Sequence, residues 1–220
     1  EIGTHATAGG TGDTQIGNPS AGNYVLSLVA GSADSGETQI IILESVTVTA
    51  TVDTAFTFTV SSVAAGEVVN GDTTTGSSTA TEISFGRLVA GIASTTAHDL
   101  TVTTNAASGY TVTLQTSGPL VASNGADIDG FIDGSDTNLP TAWAPPTAVL
   151  SDENTYGHWG ITSDDATTTR ATEFAPGSYI AASTTPRVVM SHTGPADGTT
   201  AGVGVARIGY RAEISALQEA

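Results

Sequence analysis

The stretch VTVTATVDTAFTFTV, residues 46–60, alternates without a slip. Val46, Val48, Ala50, Val52, Thr54, Phe56, Phe58 and Val60 share one face, and threonines fill most of the other. A period of two is the pattern of a β-strand with two unlike faces, not of a helix. At ~3.3 Å per residue the run would reach about 50 Å, beyond the roughly 3–10 residues of an ordinary strand. The polar pair Asp53-Thr54 interrupts the apolar face near its midpoint. We therefore read 46–52 as the end of an N-terminal β unit and 56–60 as the first strand of a second unit, with a crossover between them.

The rest of the chain is consistent with that division. Residues 1–22 are rich in Gly and Thr, with Ile2 and Ile16 as their only large aliphatic groups. Such a segment cannot offset its own ordering entropy and reads as an arm, flexible or ordered by a partner. In 23–52, NYVLSLVA and TQIIILESV flank the turn-rich GSADSGE, which predicts a hairpin. The unbroken apolar run from Ile40 to Leu43 suggests burial on both faces. Beyond 53, strands are expected at 82–88, 157–162, 185–192 and 202–215, with Ala206, Ile208, Tyr210, Ala212 and Ile214 on one face. LTVTTNAASGYTVTL reads as a hairpin, Leu100 and Val102 alternating before the loop and Tyr110, Val112 and Leu114 after it. Residues 64–80, with Asn70-Gly71, and the long segment 117–157 read as loops. No amphipathic helical period and no internal repeat are evident. The expected fold is all-β: an antiparallel β-sandwich, Ig-like or jelly-roll-like, over 53–220, preceded by an extended N-terminal arm and a β-hairpin.

Charge and missing residue types narrow the function. Twenty-two acids face five bases, all arginine, for a net charge of −17. That balance argues against nucleic acid and against anionic membrane surfaces. No run approaches the ~20 apolar residues of a membrane-spanning helix. There is no cysteine, hence no disulfide or thiolate site, and no lysine, hence no lysine isopeptide crosslink. Reinforcement must be non-covalent. The first residue, Glu1, fits a chain trimmed from an exported precursor, and the expected location is extracellular or at the cell surface.

Candidate chemistry is sparse. Asp127, Asp129, Asp133 and Asp136 lie in the Gly-rich segment GADIDGFIDGSDTN, and carboxylates two residues apart suit structural Ca2+. The spacing is not that of an EF-hand, and Asp-Gly pairs are also ordinary turn chemistry. His158, and His192 with Asp197, raise a metal or hydrolytic site. Yet HExxH, GxSxG and any recognisable nucleophile context are absent, so an enzyme is not expected. Trp143, flanked by alanines and followed by two prolines, is the aromatic most suited to exposure and to stacking on a glycan. Trp159 reads as core.

LTVTTNAASGYTVTLQ, ENTYGHWGITSDD, VMSHTGPADGTT and RIGYRAEISALQEA resemble exported, uncharacterised bacterial surface proteins with a β-sandwich fold. In such relatives a further strand is expected after ISALQEA. In architecture alone the chain is similar to β-sandwich subunits of extracellular filaments that polymerise by sharing strands. That similarity implies a pilus-like structural subunit whose partners are copies of itself. Ile2, Ile16, Tyr24, Leu26, Leu28, Ile40, Ile42, Val46, Val48 and Val52 are the expected contact residues. The alternative is a secreted carbohydrate-binding or adhesin module using Trp143.

Overall fold

The computed structural model describes residues 19–43, 48–135, 139–165 and 174–219. The chain divides into two compact units, 1–52 and 53–220. Among the described residues there is no α-helix. Fifteen strands and one short 3-10 turn, Glu153–Thr155, make up the regular structure of the described residues.

In the first unit β1 (Gly22–Ala30) and β2 (Asp34–Ile42) pair antiparallel along their whole length. The turn is tighter than expected, because Ser35, Gly36 and Glu37 have joined β2. The register puts Tyr24 opposite Ile40, Leu26 opposite Thr38, Leu28 opposite Gly36 and Gly22 opposite Ile42. Directly opposed residues share a face, so Tyr24, Leu26, Leu28, Ile40 and Ile42 form one surface of the ribbon. The expected double burial of Ile40–Leu43 is not found: Ile41 is 66% and Leu43 82% exposed. Among the described residues the hairpin is a two-stranded sheet with no further strand paired to it. Val48 and Val52 are exposed, and residues 48–55 form no strand. Alternation favours an extended chain, but a strand also needs a hydrogen-bonding neighbour. The arm, including Ile2 and Ile16, falls largely outside the described residues, as does Val46.

The second unit contains β3 (Phe56–Ser62), β4 (Val68–Val69), β5 (Asp72–Thr73), β6 (Ser94–Thr104), β7 (Tyr110–Leu114), β8 (Leu120–Val121), β9 (Asp127–Gly130), β10 (Thr141–Ala142), β11 (Gly157–Ser163), β12 (Ser178–Ala181), β13 (Arg187–His192), β14 (Ala196–Asp197) and β15 (Val205–Ile214). Nine of them form one curled sheet. Read across, its order is β10-β12-β11-β15-β6-β3, because β3 and β15 both pair with Leu100 and must flank β6 on opposite sides. β7 and β13 pair separately, with a bulge between Val188 and Met190, and cover the inner face of the large sheet. The sandwich fold is therefore as expected, with a wide sheet and a narrow one.

The core lies between these layers. Leu100 and Val102 from β6, Ile208, Tyr210 and Ala212 from β15, and Trp159 and Ile161 from β11 meet Tyr110, Val189 and Met190 from the narrow sheet. Each fully buried aliphatic chain contributes about 1.5–3 kcal/mol. Val63, Val69 and Ala97 make a smaller cluster. Asn70-Gly71 closes a two-residue hairpin between β4 and β5, with φ of 43° and 91°, the left-handed pair that favours Asn-Gly.

Further expectations fail, beginning with 64–80, read as a loop, which holds the β4–β5 hairpin. The segment 82–88 forms no strand, only isolated bridges at Thr79–Glu82 and Val89–Ile92. The long segment 117–157 carries three short strands. The hairpin expected around the loop 105–109 is instead an arch: β6 belongs to the wide sheet and β7 to the narrow one. Both strands turn alternate residues toward the same core, so a hairpin and an arch present the same alternation.

Candidate functional site

Asp129 lies on β9, two residues from Asp127, so the two point to one side of the strand. Burial, and then the charges of Asp127, Glu153 and Asp152, raise the Asp129 carboxyl to about 6. Its Oδ2 is buried without a hydrogen-bond partner. Asp133 does not join them. Its carboxylate accepts from the Thr147 hydroxyl at 2.8 Å and lies 3.2 Å from His158 Nδ1. Asp136 is outside the described residues. Among the described residues no three His, Asp or Glu side chains are arranged to hold a metal ion. The structure thus keeps Asp127 and Asp129 adjacent and commits Asp133 elsewhere.

His158 is fully buried. Its Nε2 lies 2.9 Å from the Ala144 carbonyl, which can only accept, so Nε2 carries a proton. His192 ends β13, in the other sheet, and Asp197 accepts hydrogen bonds from Thr199 and Thr200 in a local turn. These bonds hold the Asp197 carboxyl well below the usual carboxylate range. The two histidines and Asp197 are not assembled into a site.

Trp143 is half-buried rather than exposed. Phe131 stacks on it at 4.7 Å with planes 4° apart, and the Arg211 guanidinium carbon sits 5.0 Å over its ring. Its Nε1 donates to Glu213 Oε2 at 2.7 Å, and Tyr179 and His158 meet it edge-on. Arg211 also pairs with Asp72 at 2.7 Å, and the Tyr179 hydroxyl donates to the same carboxylate. This cluster fastens the long segment 117–157 to β11, β12 and β15. Composition around Trp143 could not reveal it, because Phe131, Arg211 and Glu213 are distant in sequence. Trp159 is core, as expected.

A cleft of about 430 Å3 is lined by Phe85, Leu88, Ile92 and Ser84 among others, with Arg87 as its single ionisable group. That lining offers no acid–base pair. Comparison of the chain with protein-family models, with curated proteins and with solved structures gives no match.

The most distinctive surfaces are apolar. On the hairpin, Leu26, Leu28 and Ile40 are exposed on one face and Val25, Val29 and Ile41 on the other. On the sandwich, β3 is an edge strand: β6 is its sole strand partner among the described residues. Phe58 faces the same way as its partner Val102, and Val60 as Leu100, both core residues. Phe56, Phe58 and Val60 are therefore inward-facing. Yet Phe56 is 59% and Phe58 43% exposed. An unpaired β edge beside uncovered core-facing aromatics is able to accept a strand.

Proposed function

We propose that this chain is a structural subunit of an extracellular, pilus-like filament or cell-surface assembly, built non-covalently by β-strand complementation between copies. The observation that carries this reading is the hairpin of unit 1. Its two nine-residue strands leave Val29 75%, Ile41 66% and Leu28 62% exposed. An isolated two-stranded hairpin is marginal in water and needs a further layer for stability. Main-chain hydrogen bonds at a free edge, with apolar side chains entering the neighbour, supply that layer. A chain without cysteine or lysine has neither disulfides nor lysine isopeptides to join its copies, which suits assembly by pairing and packing.

A head-to-tail contact of this kind produces a fibre when its rotation does not close. Purified protein, concentrated and viewed by negative stain, should show filaments of uniform width, with matching large species in light scattering. A chain that stays monomeric at millimolar concentration, with the hairpin amides protected from hydrogen exchange, would overturn the reading. The alternative, carbohydrate binding at Trp143, lacks comparable support, since Phe131 already lies flat on that ring.

A further inference from the structure

Resting on that reading, we infer that the receiving site is the free edge of β7 together with the uncovered inner face of β3, and that its occupant is the β1–β2 hairpin of a second copy.

The argument begins from an imbalance in the sandwich. The wide sheet runs β10-β12-β11-β15-β6-β3, whereas the narrow sheet has only β13 and β7. β13 lies over the β11 end: the Ser163 hydroxyl donates to the Val189 carbonyl, and Ser191 N–H donates to Asp165 Oδ2. β7 follows β6 through the short arch 105–109. Asn105 in that arch accepts from Ala55 N–H and donates to the Asp53 carbonyl, just ahead of β3. We place β7 on the β6–β3 side of β13, because the arch ties it to the end of β6 that pairs with β3. Its second edge pairs with no strand among the described residues. The next position in the narrow sheet is then the one above the exposed Phe56 and Phe58, beside Val60, which already packs on the core.

The hairpin matches that position in width, length and polarity. Two strands side by side span about 10 Å, and nine residues extend about 30 Å. The seven residues of β3 extend about 24 Å on the same spacing. The ribbon face bearing Tyr24, Leu26, Leu28, Ile40 and Ile42 carries no charge until Asp34 at its tip. Gly36 leaves a notch opposite Leu28, with nothing within 4 Å of where its side chain would stand. Phe56, Phe58 and Val60 are uncharged as well. In a chain with 22 acids and 5 bases, these are surfaces on which two copies can meet without opposing carboxylates. Seated there, the hairpin extends the narrow sheet to four strands, β13-β7 and two from the neighbour, and closes the core over β3.

Leu28→Glu spoils the donor face, and Phe58→Glu spoils the receiving face. Both side chains are exposed, so each variant should keep the far-ultraviolet spectrum and melting temperature of the parent. Each alone should be monomeric in sedimentation, with association weakened at least tenfold. An equimolar mixture contains one intact donor and one intact receiver, so it should form a heterodimer and stop there. A mixture that remains monomeric means that these two surfaces do not meet. Phe58→Glu protein that still assembles like the parent places the receiver elsewhere and leaves the filament reading standing. Parent protein that never assembles removes both. A Leu28→Cys/Phe58→Cys double variant gives a second readout. A ladder of disulfide-linked multimers on oxidation is expected, and a crosslink confined to monomers would assign the hairpin to its own chain.

Discussion

At the scale of single residues, Asp129 is, among the described residues, the acid whose surroundings most oppose its charge. Burial comes first, followed by Asp127, Glu153 and Asp152, and together they lift its carboxyl from 3.8 to about 6. The folded state therefore prefers the proton more than the unfolded chain does. That preference contributes its full stabilisation below about pH 4 and is lost as the pH rises through about 6. Asp129→Asn keeps the shape and removes the charge. The variant should melt about 2–4 °C above the parent at pH 7.5, a small gain because the site is partly solvated. At pH 3.5 the two should melt together. Calorimetry at the two pH values checks this. A gain of the same size at both would mean that charge is not its origin. The Asp127 share is legible in DIDG, but burial and the charges of Glu153 and Asp152 reach Asp129 only through the fold.

At the scale of elements, the arch 105–109 decides how β6 and β7 share the core. Gly109 has φ of 72°, and a Cβ there would fall on the His192 carbonyl. Both the backbone conformation and the space require glycine. Gly109→Ala should destabilise the sandwich by at least about 3 kcal/mol in urea unfolding. A loss under about 1 kcal/mol, no more than a lost hydrogen bond, would mean that the arch re-forms easily in another shape. The arch also marks what could be read from the chain. β15 was legible because Ala206 to Ala212 keep one phase and all are buried there. β6 and β7 were legible as strands, but not as members of different sheets, since alternation reports which residues face the core and not which strand lies beside them. β12, SYIA, was missed because all four residues are buried and show no alternation. The cluster around Trp143 was missed for a different reason: its aromatic, cationic and acidic members are brought together only by tertiary structure. Conversely, the apolar face of β1–β2 was legible residue by residue, and the register places Tyr24, Leu26, Leu28, Ile40 and Ile42 on one side of the ribbon.

At the scale of the whole molecule, the net charge of −17 opposes any contact between copies. Among the described residues Arg207 grips Asp99 through two nitrogens and also meets Glu67, and Arg211 meets Asp72, so both are neutralised within the fold. The outer field is therefore strongly negative, while the surfaces proposed to meet carry no charge. Repulsion acts over the Debye length, ~30 Å at 0.01 M salt and ~10 Å at 0.1 M. The proposed contact between Leu28 and Phe58 would be a burial of apolar surface, which screening does not weaken. Raising sodium chloride from 10 to 300 mM should thus accelerate assembly, by about tenfold or more for chains this charged, as followed by light scattering. Magnesium chloride at matched ionic strength should give the same rate if the salt only screens. A faster rate in magnesium would instead mean that divalent ions bridge carboxylates of neighbouring copies. Assembly that slows as salt rises would mean that ion pairs form the junction, and the apolar hairpin would lose its place as the joining element.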